Sequence, residues 1–233
     1  MILSLNGIIA GKSENIVTSG LILNLDASNS SSYIGSGTAW NDLSGNGNHA
    51  TLINGVGYSS IYGGVMLFDG VDDYAQVNSF TTPSSFTLST WVNIDYSNSD
   101  TYARIVEKGL NNDFTLCLNK VSSANLNTFQ LGDGNTLLTS NINSNFQYIT
   151  VTVDNTGGNN YTVTYYLNGV YKSIAGINIV RNTSQPLYIG SNPLALAVTS
   201  LFGQVGQVIM YNRVISNSED IINFNKTKTK FGL

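Results

Sequence analysis

The sequence predicts an all-β protein, two facing antiparallel sheets forming one sandwich domain with a single short helix near the C-terminus. Three observations carry this. Short apolar or alternating runs recur along the chain, divided by clusters of Gly, Asn, Asp and Ser, which is the punctuation of a β-sandwich. The pair Asn168-Gly169 stands between two such runs and reads as a hairpin turn. Only one stretch carries helix-start chemistry, and it lies late in the chain. A chain of 233 residues can bury a full core, and sandwiches of this length fold as one domain.

The elements follow in order. The first strand runs to Asp26, with Leu23 and Leu25 as core residues. Phe68 marks a buried strand before the turn Asp69-Gly70. Phe86, Leu88, Thr90 and Val92 alternate with Thr87, Ser89, Trp91 and Asn93, which gives one face to the core. Residues 147–154 and 161–167 repeat the pattern. Asn168-Gly169 then predicts a type I′ turn into residues 170–174, because both central residues tolerate positive φ. Residues 204–211 read as a late buried strand. At residues 216–225 Ser216 can cap a helix and Glu219 completes a capping box, with Ile221, Ile222 and Phe224 expected to face inward. The expected core holds Leu23, Leu25, Phe68, Leu88, one or both of Trp91 and Val92, Val151, Val163, Ile189, Val208 and Ile209.

Composition narrows the class of protein. Charged residues make up 10% of the chain, against about 25% in ordinary soluble domains. Asn, Ser, Thr and Gly take their place. The net charge of −4 leaves no basic stripe for a phosphate backbone, so nucleic acid is not an expected partner. The lone cysteine, Cys117, lies in the apolar run Phe114-Thr115-Leu116-Cys117-Leu118 and reads as a buried small hydrophobe. Residues 1–10 lack the charged start of a signal peptide, and no run reaches the roughly 18 apolar residues of a membrane span. Residues 1–19, rich in Ile and Leu, read as an N-terminal arm that docks on a neighbouring subunit or packs across its own sheet.

Six short signatures stand in one order along the chain. They are Gly20-Leu21-Ile22-Leu23-Asn24-Leu25-Asp26-Ala27, Trp40-Asn41-Asp42-Leu43-Ser44-Gly45-Asn46-Gly47-Asn48, Phe68-Asp69-Gly70-Val71-Asp72-Asp73-Tyr74, Phe86-Thr87-Leu88-Ser89-Thr90-Trp91-Val92, Tyr166-Leu167-Asn168-Gly169-Val170 and Val208-Ile209-Met210-Tyr211-Asn212-Arg213-Val214-Ile215-Ser216. Together they resemble the laminin-G-like branch of the concanavalin A-like lectin and glucanase superfamily. The likeness is greatest to domains of tailed-phage virion proteins, which often close on a segment like Asn223-Phe224-Asn225 and Lys230-Phe231-Gly232-Leu233. The resemblance covers residues 20–233 and implies a jelly-roll β-sandwich. Residues 226–233 are expected to form a short C-terminal tail.

Residues suited to catalysis are few. The chain has three glutamates, Glu14, Glu107 and Glu219, none placed as a glycosidase pair. The single histidine, His49, has no carboxylate at a triad spacing. Asp72 and Asp73 look like a dyad, but consecutive strand residues point to opposite faces, so a turn-stabilising role is expected for Asp69 and one of the pair. No catalytic residue is expected.

One loop stands out. Asp42, Ser44, Asn46 and Asn48 place oxygen-bearing side chains at every second position with Gly47 sixth, as at the start of a calcium loop. Position twelve is Ile53, so the bidentate glutamate is missing. The resemblance implies a rim calcium in many relatives, yet where they carry Ile-Asp-Glu this chain has Val205-Gly206-Gln207. One calcium ion on Asp42, Ser44, Asn46 and Asn48, with Asp26 added, competes with a turn that hydrogen-bonds its own backbone.

Two roles compete. One is a non-catalytic phage virion component of head or tail, a homo-oligomer docked on other virion proteins through its arm and tail and able to bind host surface glycans. The other is a carbohydrate-binding module of a secreted or bacterial cell-surface protein. Thirteen tyrosines and two tryptophans supply aromatic faces. Tyr33, Tyr62 and Tyr96, in or near expected loops, are the candidate sugar platforms.

Overall fold

A computed structural model describes residues 15–109, 113–120, 126–131, 135–141, 145–181 and 185–233. Residues 1–14, most of the expected arm, lie outside the described residues. In chain order the first strands are β1 (Leu21–Asp26), β2 (Ala39–Trp40), β3 (Ala50–Ile53), β4 (Gly57–Ser59), β5 (Val65–Asp69) and β6 (Tyr74–Val77). Next come β7 (Phe86–Ile94), β8 (Arg104–Lys108), β9 (Phe114–Asn119), β10 (Leu126–Leu131) and β11 (Asn135–Asn141). The chain closes with β12 (Gln147–Gly157), β13 (Asn160–Leu167), β14 (Val170–Asn178), β15 (Leu187–Ile189), one helical turn α1 (Leu196–Thr199), β16 (Phe202–Tyr211) and helix α2 (Asn217–Thr227).

The strands form two eight-stranded antiparallel sheets, the expected sandwich. The first has the order β14-β13-β12-β7-β16-β5-β4, with β1 also paired to β16; the second runs β11-β10-β9-β8-β15-β6-β3-β2. Alternation builds the core as the sequence requires. Phe86, Leu88, Val92 and Ile94 of β7 point between the sheets and join Leu23, Leu25, Phe68, Val151, Val163, Ile189 and Val208 in one buried cluster. Asn168 and Gly169 have φ of 53° and 74°, the left-handed pair of a type I′ turn. Cys117 is buried, and burial pushes its thiol up to about 11.

Two expected core residues are buried elsewhere. Trp91 and Ile209 face away from the second sheet, on the outer face of the first. There Trp91 packs with Val65, Phe146, Tyr148 and Phe231, and Ile209 with Tyr211 and Ile215. The chain's C-terminal segment provides this cover.

Helix α2 starts as expected. Ser216 Oγ accepts from the Glu219 amide, and the Glu219 carboxylate accepts from the Ser216 amide at 2.8 Å. Arg213 clamps the same carboxylate at 3.0 and 2.5 Å, and this pair holds Glu219 down at about 2. The buried face is not the expected one. Ile221 and Ile222 are 38% and 40% exposed, whereas Asp220, Asn223 and Thr227 are buried. The reason is the surface beneath, where β7, β12 and β16 present polar groups. Trp91 Nε1 donates to Thr227 Oγ1 at 2.7 Å, and Asn223 Nδ2 donates to the Tyr211 hydroxyl at 3.0 Å. Phe224 alone of the expected trio packs inward, stacked 5.8 Å from Trp91.

Residues 226–233, expected to be a tail, complete α2 and a following 3-10 turn on the same sheet. Phe231 is buried, with its ring 4.5 Å from Trp91 and 4.8 Å from Phe146. Gly206 makes room for it, since a Cβ there would lie 2.2 Å from the Phe231 ring. Lys230 pairs with Asp26 at 3.1 Å. The described end of the arm also lies on its own domain: Ile16 and Val17 pack on Ile209, Tyr211 and Ile215, and Val17 N donates to Asn223. No helix among the described residues is long and apolar enough to cross a membrane.

Candidate functional site

The outer face of the first sheet is covered by the C-terminus at one end and open at the other. Strand register builds the open part. Gly57, Leu67, Gln204 and Asn93 form one cross-strand row over β4, β5, β16 and β7. One step along, Asp69 pairs with Phe202, and Asp95 N donates to the Phe202 carbonyl at 3.0 Å. Phe202 therefore sits between Asp69 and Asp95 with its ring exposed. Asn54, Gly55 and Asp73 close the side of a groove of about 590 Å³.

Local turns fix the acids. Asp69 ends β5, and its Oδ1 accepts from Val71 N at 2.9 Å. Asp73 reaches back so that its Oδ2 accepts from Asp69 N at 3.1 Å. Its Oδ1 has no hydrogen-bond partner among the described residues, nor has Gln204 Oε1 in the same groove. Burial, then the neighbouring Asp69 charge, pushes the Asp73 carboxyl up to about 6. Asp95 moves the other way. The Ser97 hydroxyl and then the Asn98 amide donate to it at 2.6 and 2.8 Å and hold it below the usual carboxylate range. One oxygen from each of Asp69, Asp72 and Asp73 lies within 4.8 Å of the others, so among the described residues this trio is the one that could hold a cation.

Strand alternation does not govern this trio. Asp72 and Asp73 lie in the turn between β5 and β6, not in a strand, and they converge with Asp69. The turn-stabilising bonds expected of Asp69 and Asp73 are present beside that convergence. Asp95, Phe202 and Gln204 were missed altogether. The chain's only signal for Phe202 is a large aromatic ahead of the glycine in Phe202-Gly203, at the mouth of a strand otherwise read as buried.

The Asp42 loop is built as a self-bonded turn. Asp42 Oδ1 accepts from Asn24 N and Ser44 N at 2.8 and 2.9 Å, and Oδ2 accepts from Ser44 Oγ and Asn48 N at 2.7 and 3.0 Å. These four bonds fill a carboxylate's acceptor capacity. Asn46 and Asn48 turn their amide N–H groups to the carbonyls of Leu21 and Ile22, stitching the loop to β1. His49 Nδ1 accepts from Asp42 N. Asp26 is engaged by Ser28 and Lys230. The three tyrosines are not brought together. Tyr33 is buried with its hydroxyl on the Gly37 carbonyl, Tyr62 lies edge-on to Phe146, and Tyr96 sits beneath Lys120.

The two facing sheets define a jelly-roll β-sandwich domain. The chain belongs to the concanavalin A-like lectin/glucanases superfamily, whose family model matches residues 69–219. That span runs from Asp69 to Glu219 and includes every groove residue from Asp69 onward. No curated protein matches the chain by sequence. Among solved structures, the botulinum neurotoxin serotype D binding domain superposes with a TM-score of 0.69 at 16% identity, over 90% of this chain and 52% of that one. Domain 4 of AbnA, an extracellular arabinanase from Geobacillus stearothermophilus, in complex with arabinotriose, gives 0.66 at 13% identity, over 88% of this chain and 98% of that one. Trypanosoma rangeli sialidase in complex with sialic acid gives 0.67 at 18%, over 94% and 35%. The chain thus spans about half the length of the toxin binding domains it resembles. At these identities the likeness is one of fold.

Proposed function

We propose that this chain is a non-catalytic glycan-binding module that uses the groove around Phe202. The observation that carries the reading is one exposed aromatic ring flanked by carboxylates and amides in a groove of about 590 Å³. A sugar needs that combination, an apolar face for its C–H side and fixed polar groups for its hydroxyls. The superposed arabinanase domain in complex with arabinotriose supports it by analogy of fold. The non-catalytic part is supported by Asp95, whose oxygens are occupied by Ser97 and Asn98. The setting we favour is the surface of a tailed-phage virion, in a homo-oligomer held by other virion proteins. The order of the six signatures and the Ile- and Leu-rich first residues support that setting.

A glycan array followed by calorimetry tests the reading. Binding should be lost in Phe202→Ala with melting unchanged, and no polysaccharide in a panel should be hydrolysed. Glycan binding that persists in Phe202→Ala, or turnover lost on changing one groove acid, would refute it.

A further inference from the structure

If the groove takes a glycan, as proposed above, its lining also selects the kind of sugar. The charged groups are of one sign. Asp69, Asp73 and Asp95 contribute carboxylates, and no Lys, Arg or His is among the lining residues. Among its buried side-chain atoms, the two without a partner among the described residues, Asp73 Oδ1 and Gln204 Oε1, are both acceptors. Asn54 already spends an N–H on the Asp72 carbonyl at 3.0 Å. This lining favours an occupant that donates hydrogen bonds. A carboxylate, sulfate or phosphate would bring only acceptors and a charge of the wrong sign.

The acid trio sharpens this. Asp73, which lines the groove, is 4% exposed and holds a buried, unpartnered Oδ1, while Asp69 keeps one oxygen clear of its bond to Val71. Oxygens of Asp69, Asp72 and Asp73 stand no more than 4.8 Å apart. A primary ammonium carries three N–H donors. Its charge-assisted bonds are about 2.8 Å long, so three acceptors arranged tetrahedrally about it lie about 4.6 Å from one another. The trio falls within reach of that span. Phe202, directly across the strands from Asp69, adds an exposed ring able to attract a cation. We propose that the ammonium of an amino sugar with a free amine seats against Asp69, Asp72 and Asp73 while the sugar body lies on Phe202. The groove then prefers free-amine glycans to their N-acetylated and acidic counterparts.

Calorimetry on the full chain at pH 6 with chelator present tests this, using glucosamine, N-acetylglucosamine and galacturonic acid oligomers of equal length. The glucosamine oligomer should bind at least about tenfold tighter than the acetylated one, the worth of one charge-assisted hydrogen bond. Added salt should erode the difference, and the acidic oligomer should bind weakest. Asp69→Asn combined with Asp72→Asn should remove the preference without lowering the melting temperature; Asp72→Asn alone serves if the double variant does not fold. Equal binding of amine and acetylated oligomers, both lost in Phe202→Ala, overturns the amine inference and leaves the glycan reading standing. Failure of every glycan overturns both. A preference that survives the Asn substitutions, or sugar binding that requires calcium on the trio, also overturns it.

Discussion

Asp220 is fully buried beneath α2, and neither carboxylate oxygen has a hydrogen-bond partner among the described residues. Around it are Tyr148, whose hydroxyl is also unpartnered, Tyr166, Tyr211 and Thr150, and Thr150 gives its hydrogen to Ser89 at 2.9 Å. Burial, opposed only in part by Thr150, pushes the carboxyl from 3.8 to about 6. The folded value lies above the unfolded one, so the stabilising contribution is complete below about pH 4 and is lost as pH rises through 6. Each pH unit between the unfolded and folded values is worth about 1.4 kcal/mol, so the wild type gives up roughly 3 kcal/mol across that window. Asp220→Asn keeps the shape and removes the titration. Against this stands a helix-dipole benefit of the charge in the first turn of α2, about 0.3–1 kcal/mol. At pH 7.5 the variant should be more stable by about 2–3 kcal/mol, a melting shift of roughly 5–10 °C for a domain of this size. At pH 4 the two should coincide. Asp73 also titrates near 6, but it is common to both proteins and cancels in the difference. Urea titrations at the two pH values decide the matter, and a variant less stable than wild type at pH 7.5 would refute the reasoning.

Three further outcomes are expected. Phe231→Ala should destabilise by about 3–5 kcal/mol in urea, and Gly206→Ala should also destabilise, because its methyl would enter the Phe231 ring. Glu219→Gln should lower stability by about 0.5–2 kcal/mol at pH 7 through the weakened capping box and Arg213 clamp. Glu219 is depressed to about 2, so its contribution is present above about pH 4.5 and fades as pH falls through 2; the variants should converge there on a thermal scan. Asp42→Ala strands the amides of Asn24, Ser44 and Asn48, and should lower the melting temperature more than Asn46→Ala does.

The sandwich was legible because apolar side chains alternate along β7 and β12, although both faces of these strands are buried, and the hairpin because Asn168 and Gly169 tolerate positive φ. Helix α2 was legible at its start, where Ser216 and Glu219 are three apart. Its buried face was not. Which side of a helix goes inward depends on what it meets, and the sheet beneath presents Tyr211 and Trp91 N–H rather than a purely apolar surface. The same limit governs the site. Spacing identified the oxygen-rich loop at Asp42, but spacing does not say whether the oxygens face outward or bond their own amides. The groove is assembled from Asp69, Asp95 and Phe202, whose neighbourhood is set by strand register between β5, β16 and β7. Positions 95 and 202 meet only after the whole sandwich has closed.

One face of one sheet is thereby split between two tasks. On β7, Trp91 lies under Phe231 while Asn93, two residues along on the same side, lines the groove. On β16, Gly206 admits the Phe231 ring while Phe202 and Gln204 remain open. Val65 on β5 joins the sealed cluster while Asp69, four residues on, joins the acids. The C-terminal segment thus acts as a fixed cover whose edge sets where the groove begins. Phe231 packs on Trp91 and Phe146 and is buried, whereas the Phe202 ring is left exposed. Phe231 and Lys230 are engaged on their own sheet. In the virion setting proposed above, residues 1–14 are the candidate contact, and a protein lacking them should keep its melting temperature and its glycan binding while losing assembly.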